Sequence, residues 1–202
     1  MKTYIYFILL SFAAMSCKAQ SPIYDISEPK SEKTPGSYFK DLNGVLDGYD
    51  GTYLYTNGTT SLKIVLKKKI KSYGYYYRDL VVGEFQFIKD GVELNNTLAN
   101  ININYTDEEI NHIIKGSRVI TGTAYGCPDC SPTEKRLRLS FIDNKSDNVA
   151  DLDIRKTTVN GVSAIKVSIS SGGDVTTRKE GEPVPTRLPP TIELGDYLMI
   201  KQ

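Results

Sequence analysis

The amino-acid sequence predicts an all-β domain: an antiparallel up-and-down meander of about eight to ten strands, closed into a barrel or strongly curved, with one short mid-chain helix. Three observations predict it. Asn57-Gly58, Asp90-Gly91 and Asn160-Gly161 each place two residues that tolerate positive φ between runs of strand formers, the signature of tight hairpins. The flanking runs alternate with period two, as in Leu62, Ile64 and Leu66 or Leu137, Leu139 and Phe141, so each strand has one apolar face. Composition agrees, with 14 Tyr and 6 Phe but no Trp, beside many Thr, Val and Ile.

Residues 1–16 read as an export signal. Lys2 supplies a positive start, Tyr4 to Met15 form an apolar stretch too short to span a bilayer, and Ala14, Met15 and Ser16 lead to Cys17. Such a lipobox-like ending implies cleavage before Cys17 and acylation of its thiol. Two or more acyl chains, at about 0.8 kcal/mol per buried methylene, anchor a protein stably without crossing the membrane. In a competing reading Cys17, Lys18 and Ala19 form a small-x-small site, and cleavage after Ala19 releases a soluble secreted protein. Residues 17–38 mix Pro, Ser, Gly and alternating charge without apolar periodicity, which predicts a flexible tether holding the domain on the order of 25 Å from its anchor. Residues 39–202 are the length of a single β domain.

Within that domain the first predicted hairpin joins Thr52–Thr56, carrying Tyr53 and Tyr55, to Ser61–Lys69. The second joins Tyr76–Ile88, carrying Phe85 and Phe87, to Val92–Leu98. Thr106–Gly116 has helical period: Thr106 caps with Glu109, Ile110, Ile113 and Ile114 form a stripe, and Lys115-Gly116 suit the exit. Strands resume at Leu137–Phe141, then Asp151–Thr158 and Val162–Ile169 about the third turn. The four prolines of Glu182–Pro190 exclude a central strand, and Thr191–Ile200 reads as a last strand broken at Gly195 and Asp196.

Removing Lys2 with the signal leaves 24 basic against 24 acidic residues, so no global field steers the protein toward nucleic acid. Cys127-Pro128-Asp129-Cys130 is the motif with reactive atoms. A redox dithiol wants a helix after it, whereas Ser131 and Pro132 lead into an alternating, strand-like run. Zinc wants four good ligands, and the chain has one His, His112, and no second CxxC. A disulfide across a turn, stabilising by about 2 kcal/mol, fits an exported chain best. His112 reads as a surface or helix-end residue without a triad, and no pair of acids stands out as a glycosidase dyad. Lys67 to Lys71 with Tyr73, Tyr75, Tyr76 and Tyr77 combine charge and aromatic surface. They read as edge protection, with contact to anionic lipid, polysaccharide or lipopolysaccharide as the functional option. Asp143, Asp147, Asp151 and Asp153 lack calcium-loop spacing and read as a hairpin turn and the wet face of a strand.

The ending SCKAQ, the segments Asp50–Lys68 and Tyr76–Glu93, and a terminal strand preceded by LPP and ended by KQ resemble a family of small exported proteins of Flavobacteria and relatives. Many members are predicted lipoproteins, and the family is catalogued as a domain of unknown function, so the resemblance implies a setting and no reaction. Gly51-Thr52-Tyr53 is similar to the opening of the first lipocalin strand, with Tyr in place of Trp and the helix in a different place, and implies a lipocalin-like barrel as fold analogy. The expectation is a membrane-anchored lipoprotein of the cell envelope, at the outer membrane, with a non-enzymatic barrel that needs no cofactor or metal and meets no nucleic acid. It binds a small hydrophobic ligand through Tyr53, Tyr55, Phe85 and Phe87, or instead acts as a protein- or glycan-interaction module without a ligand cavity.

Overall fold

A computed structural model describes residues 21–28, 34–172 and 188–202. Eleven strands form one sheet: β1 (Ile23–Asp25), β2 (Tyr38–Lys40), β3 (Gly51–Asn57), β4 (Thr60–Tyr73), β5 (Tyr77–Lys89), β6 (Val92–Asn96), β7 (Ile114–Thr121), β8 (Lys135–Ile142), β9 (Val149–Val159), β10 (Val162–Ser171) and β11 (Gly195–Lys201). A single α-helical turn, α1 (Glu108–Asn111), lies between β6 and β7. Eight strands, β3, β4, β5 and β7 to β11, close an antiparallel barrel, with β1, β2 and β6 outside it.

Closure runs through β5. One edge of β5 pairs with β4, and the other meets β2 at Tyr77 and Arg78, β7 at Val81–Gly83, and β6 at Gln86–Lys89. Gly83 sits where the barrel closes, paired to Leu66 on one side and Ile114 on the other. A Cβ there would lie 2.9 Å from the Val65 carbonyl oxygen and 3.2 Å from Ile114 Cβ, so the junction needs glycine.

Two of the expected turns form as read: Asp90 and Gly91 at φ 51 and 79, and Asn160 and Gly161 at φ 50 and 79, each joining adjacent register partners. The first turn is one residue later than read. Asn57 pairs with Thr60 in the ladder, leaving Gly58 (φ 58) and Thr59 as its centre.

Inward residues of all eight barrel strands form one core, including Tyr53, Leu62, Ile64, Leu66, Phe85, Phe87, Leu137, Leu139, Phe141, Leu152, Ile154, Val167 and Met199. Each fully buried large apolar side chain contributes roughly 1.5–3 kcal/mol. The barrel floor is sealed by the segment before β3. Leu46 and Tyr49, both 0% exposed, pack into the core from a 3-10 turn at Asp47–Tyr49. Asp41 holds that segment by accepting from the backbone N–H of Val45 at 2.7 Å and Leu46 at 2.9 Å and from Lys68 Nζ at 2.9 Å.

β5 departs from simple alternation, since Asp79 to Phe85 are buried on both faces. Outside, Leu80 and Val82 meet Ile101 from a 3-10 turn at Leu98–Asn102. This outer layer corrects the helix expected over Thr106–Gly116. Asp107, rather than Thr106, caps α1, accepting from Glu109 and Ile110 backbone N–H at 3.0 and 3.1 Å. Ile110 is exposed, and Ile114 already begins β7 inside the barrel. Ladder bonds to β5 and β8 outweigh the weak propensity of a short helix.

Part of the stretch read as tether pairs into the sheet: Ile23–Asp25 run parallel to Tyr38–Lys40, which in turn run parallel to β5. At the other end of the chain the last strand starts at Gly195. Thr191, read as its beginning, is instead clamped by Asp143, which accepts from its hydroxyl at 3.0 Å and from its backbone N–H. Most of Glu182–Pro190 lies outside the described residues.

Candidate functional site

Strands whose inner faces build the core turn charged residues outward. On β9, Leu152 and Ile154 point in, while Asp151, Asp153 and Arg155 point out. They are flanked by Arg136 and Arg138 on β8, Lys166 and Ser168 on β10, and Asp196 and Leu198 on β11. The loop joining β7 to β8 folds back over this wall. Arg136 donates to the carbonyls of Gly122 and Ala124, pinning the loop's first limb. The turn Cys127–Cys130 is closed by a disulfide, with the Cα atoms 5.4 Å apart, and by a backbone hydrogen bond from Cys130 to Cys127 of 3.2 Å. Arg155 reaches up to Asp129 at 2.8 Å and to Glu134 at 2.9 Å.

A cleft of about 340 Å³ lies between this loop and the wall, within the range of small-ligand sites. Tyr125 stands at its rim with the Arg138 guanidinium 3.8 Å and that of Arg118 4.9 Å from its ring centroid. Its backbone is left-handed, φ 56, between Gly122 at 68 and Gly126 at 78, a conformation costing a non-glycine residue on the order of 1 kcal/mol and typical of places where the chain serves a site. Arg136, Arg155 and Lys166 face Asp129, Asp153 and Asp196 across the cleft, so its formal charge balances. Hydrogen bonding to Arg155 holds the carboxyls of Asp129 and Glu134 below their ordinary range. The Asp153 carboxylate raises Arg138 in turn. Lys166, Ser168 and Asp196 make no side-chain hydrogen bond or ion pair among the described residues, and Arg136, 3% exposed, leaves its Nε–H without a partner.

The residues singled out in the sequence are distributed differently. Tyr53, Phe85 and Phe87 are at most 2% exposed in the packed interior, with Phe85 edge-on to Phe141 at 5.2 Å. Tyr55 is half-buried against Tyr197, edge to face at 5.0 Å. None of the four lines the outer cleft or the two recesses at the opposite end of the barrel, the smaller of which, about 110 Å³, is bounded by Phe141, Ile169, Pro190 and Ile192. Cys17 lies outside the described residues. Cys127, Asp129 and Cys130 cluster with metal-ligand spacing, but the two sulfurs are bonded to each other and offer no thiolate.

His112, read as a surface or helix-end residue, does stand at the C-terminal end of α1 but is 1% exposed. Its Nδ1 lies 2.8 Å from Glu84 and its Nε2 2.9 Å from Glu108, and Glu108 continues to Lys69 at 2.9 Å. The Tyr105 ring stands edge-on to the imidazole at 5.1 Å. Glu84, outward on β5 and 0% exposed, is the cause: a buried carboxylate needs partners, and α1 brings them. The His112–Glu84 pair is closed to solvent, and through Glu108 and Lys69, which stay partly exposed, the network ties the outer layer to the barrel. The isolated charge of Glu84 in an otherwise apolar run is the one signal that foreshadowed it.

The wall residues were legible only as a strand's wet face, because the loop that turns them into a cleft is placed by contacts across 26 residues and fewer, such as Arg155 to Asp129. No curated protein and no solved structure matches this chain. A family model matches residues 1–202 in full, and the chain therefore belongs to the Family of unknown function (DUF6705).

Proposed function

We propose that the protein is a lipid-anchored, non-enzymatic interaction module of the cell envelope that binds a neutral, hydroxyl-rich ligand, a glycan segment, in the cleft beneath the disulfide loop. The charge-balanced lining supports this reading. A cleft that sets three cationic against three anionic side chains has no net field for a strongly charged ligand. An apolar ligand would cover Lys166 and Asp196 and leave them unsatisfied, at a cost of about 1–3 kcal/mol for each buried group. Hydroxyl groups both donate and accept, and satisfy both. The close packing of Tyr53, Phe85 and Phe87 favours this outer site over a hydrophobic ligand inside the barrel. Anchoring at Cys17 is supported by the signal-like residues before it.

The test is intact-mass spectrometry on protein taken from its native envelope, once folded and once denatured without reductant. The expected denatured mass is the chain from Cys17 plus acyl groups and minus two hydrogens for the disulfide. The folded protein should carry an additional mass in saccharide increments, lost on denaturation. That adduct should disappear from Lys166→Ala and persist in Tyr53→Phe. An adduct of acyl-chain composition, or none, overturns the glycan reading, and an unacylated chain beginning at Gln20 overturns the anchor.

A further inference from the structure

β4 and β5 run beyond the barrel floor. Gly51, the first residue of β3, already pairs with Leu66, so Lys67–Tyr73 of β4 extend past it, joined to β5 and, through β5, to β2 and β1. One register row crosses these four strands: Ile23, Tyr38, Tyr77 and Tyr73. The rings of Tyr73 and Tyr77 are 5.2 Å apart, and Lys71 Nζ lies 5.9 Å from the Tyr38 ring and 5.3 Å from that of Tyr77. The register shifts between Lys69 and Ser72, with Lys71 left-handed at φ 53, and this bulge turns Ile70 out to 72% exposure. Asp79, buried at 3%, fixes it by accepting from the Lys71 backbone N–H at 2.9 Å and the Tyr38 hydroxyl at 2.6 Å. At the same end Tyr75 is 71%, Ile23 58% and Tyr73 56% exposed.

The chain enters the fold at this end, since β1 begins with Ile23, in the row of Tyr73. Five residues separate Ile23 from Cys17, a reach of at most about 20 Å when extended. We infer that this end, Ile23, Ile70, Tyr73 and Tyr75 with Lys71, is a membrane-docking face that rests in the headgroup layer of the bilayer holding the Cys17 acyl chains. The inference rests on the anchoring part of the proposed function. Tyrosine suits that layer because its ring is apolar and its hydroxyl wet. The isoleucines gain burial. Lys71, without an ion pair among the described residues, meets lipid phosphate. Docking orients the barrel with its floor toward the membrane and holds the outer cleft on its flank.

The full chain, processed and acylated in its host, is reconstituted into vesicles of phosphatidylethanolamine and phosphatidylglycerol. The chain has no Trp, so Tyr75→Trp and Val92→Trp each create a single reporter, the second at the 61%-exposed turn of the opposite end. With lipids brominated on their acyl chains, the Tyr75→Trp emission should shift to the blue and fall about twofold, and the Val92→Trp emission should not change. Vesicle-bound protein with both reporters unquenched overturns the docking face and leaves the anchor standing. Protein that lacks acyl mass and does not float with the vesicles overturns the anchor, and the docking face with it.

Discussion

The two faces of β9 show how one strand serves two purposes. Inward, Leu152 and Ile154 are at most 1% exposed and join the single core cluster of the barrel. Outward, one residue along, Asp153 and Arg155 stand beside a cleft of about 340 Å³ beneath the β7–β8 loop. Both faces carry tyrosine nearby. Tyr53 inside packs with its hydroxyl donating to the Tyr49 carbonyl at 3.2 Å, while Tyr125 outside is held at a rim by arginines. The difference teaches that in this barrel the face a lipocalin analogy assigns to ligand supplies the packed core, and the face that analogy leaves to solvent carries the cleft.

Removing interior bulk should have the largest effect. Phe85→Ala is expected to lose about 4 kcal/mol of unfolding free energy in urea titration, because a filled interior cannot collapse around the hole. A loss under about 1 kcal/mol would mean the interior is roomy, and the contrast between the faces would fail.

Next comes the clamp that closes the far end. Asp143, 0% exposed, would be raised by burial alone, but hydrogen bonds from Thr191, Lys145 and Ser146 outweigh this and hold it below its ordinary 3.8. Asp143→Ala should cost about 3 kcal/mol by stranding those donors. Because the folded value is depressed, the stability it supplies is present above the ordinary carboxylate value and is lost as pH falls through the folded one. The wild type should therefore lose more stability between neutrality and strong acid than Asp143→Ala, as thermal melts across pH would show.

Smaller still is the loop. Cys127→Ser with Cys130→Ser should cost about 2 kcal/mol, the chain entropy of a four-residue closure, and weaken the envelope-derived adduct. Thiol-exchange activity that vanished with the pair would assign the disulfide a reaction instead. Arg155→Ala should change stability by less than about 1 kcal/mol, because its ion pairs are solvent-screened, yet loosen the loop over the cleft and reduce the adduct. Equal effects on stability and adduct would erase the distinction between scaffold and site.

Much of this was legible along the chain. Positive-φ pairs at Asp90-Gly91 and Asn160-Gly161 specify two-residue hairpins by local energetics, and period-two alternation at Leu62–Leu66 and Leu137–Phe141 assigns faces without knowledge of the partner strand. What escaped is non-local. The floor plug of Leu46 and Tyr49 comes from a segment with no strand period. His112 is buried because Glu84, 28 residues earlier, needs a partner, and the helix shrinks to one turn because Ile114 is claimed by β5 and β8. The outer cleft requires the β7–β8 loop to bend back over three further strands.

The sequence by itself therefore determined the strand class, most of the hairpins, the turn-closing cysteine pair and the signal-like approach to Cys17, because each rests on the φ preference, alternation or spacing of neighbouring residues. Only the tertiary structure decided that the barrel closes at Gly83, that its tyrosine- and phenylalanine-rich interior packs as one core, and that balanced charges meet in a cleft outside. Those outcomes depend on which distant surfaces compete for the same space, and the winner is set by the burial of whole strands rather than by any residue's own preference.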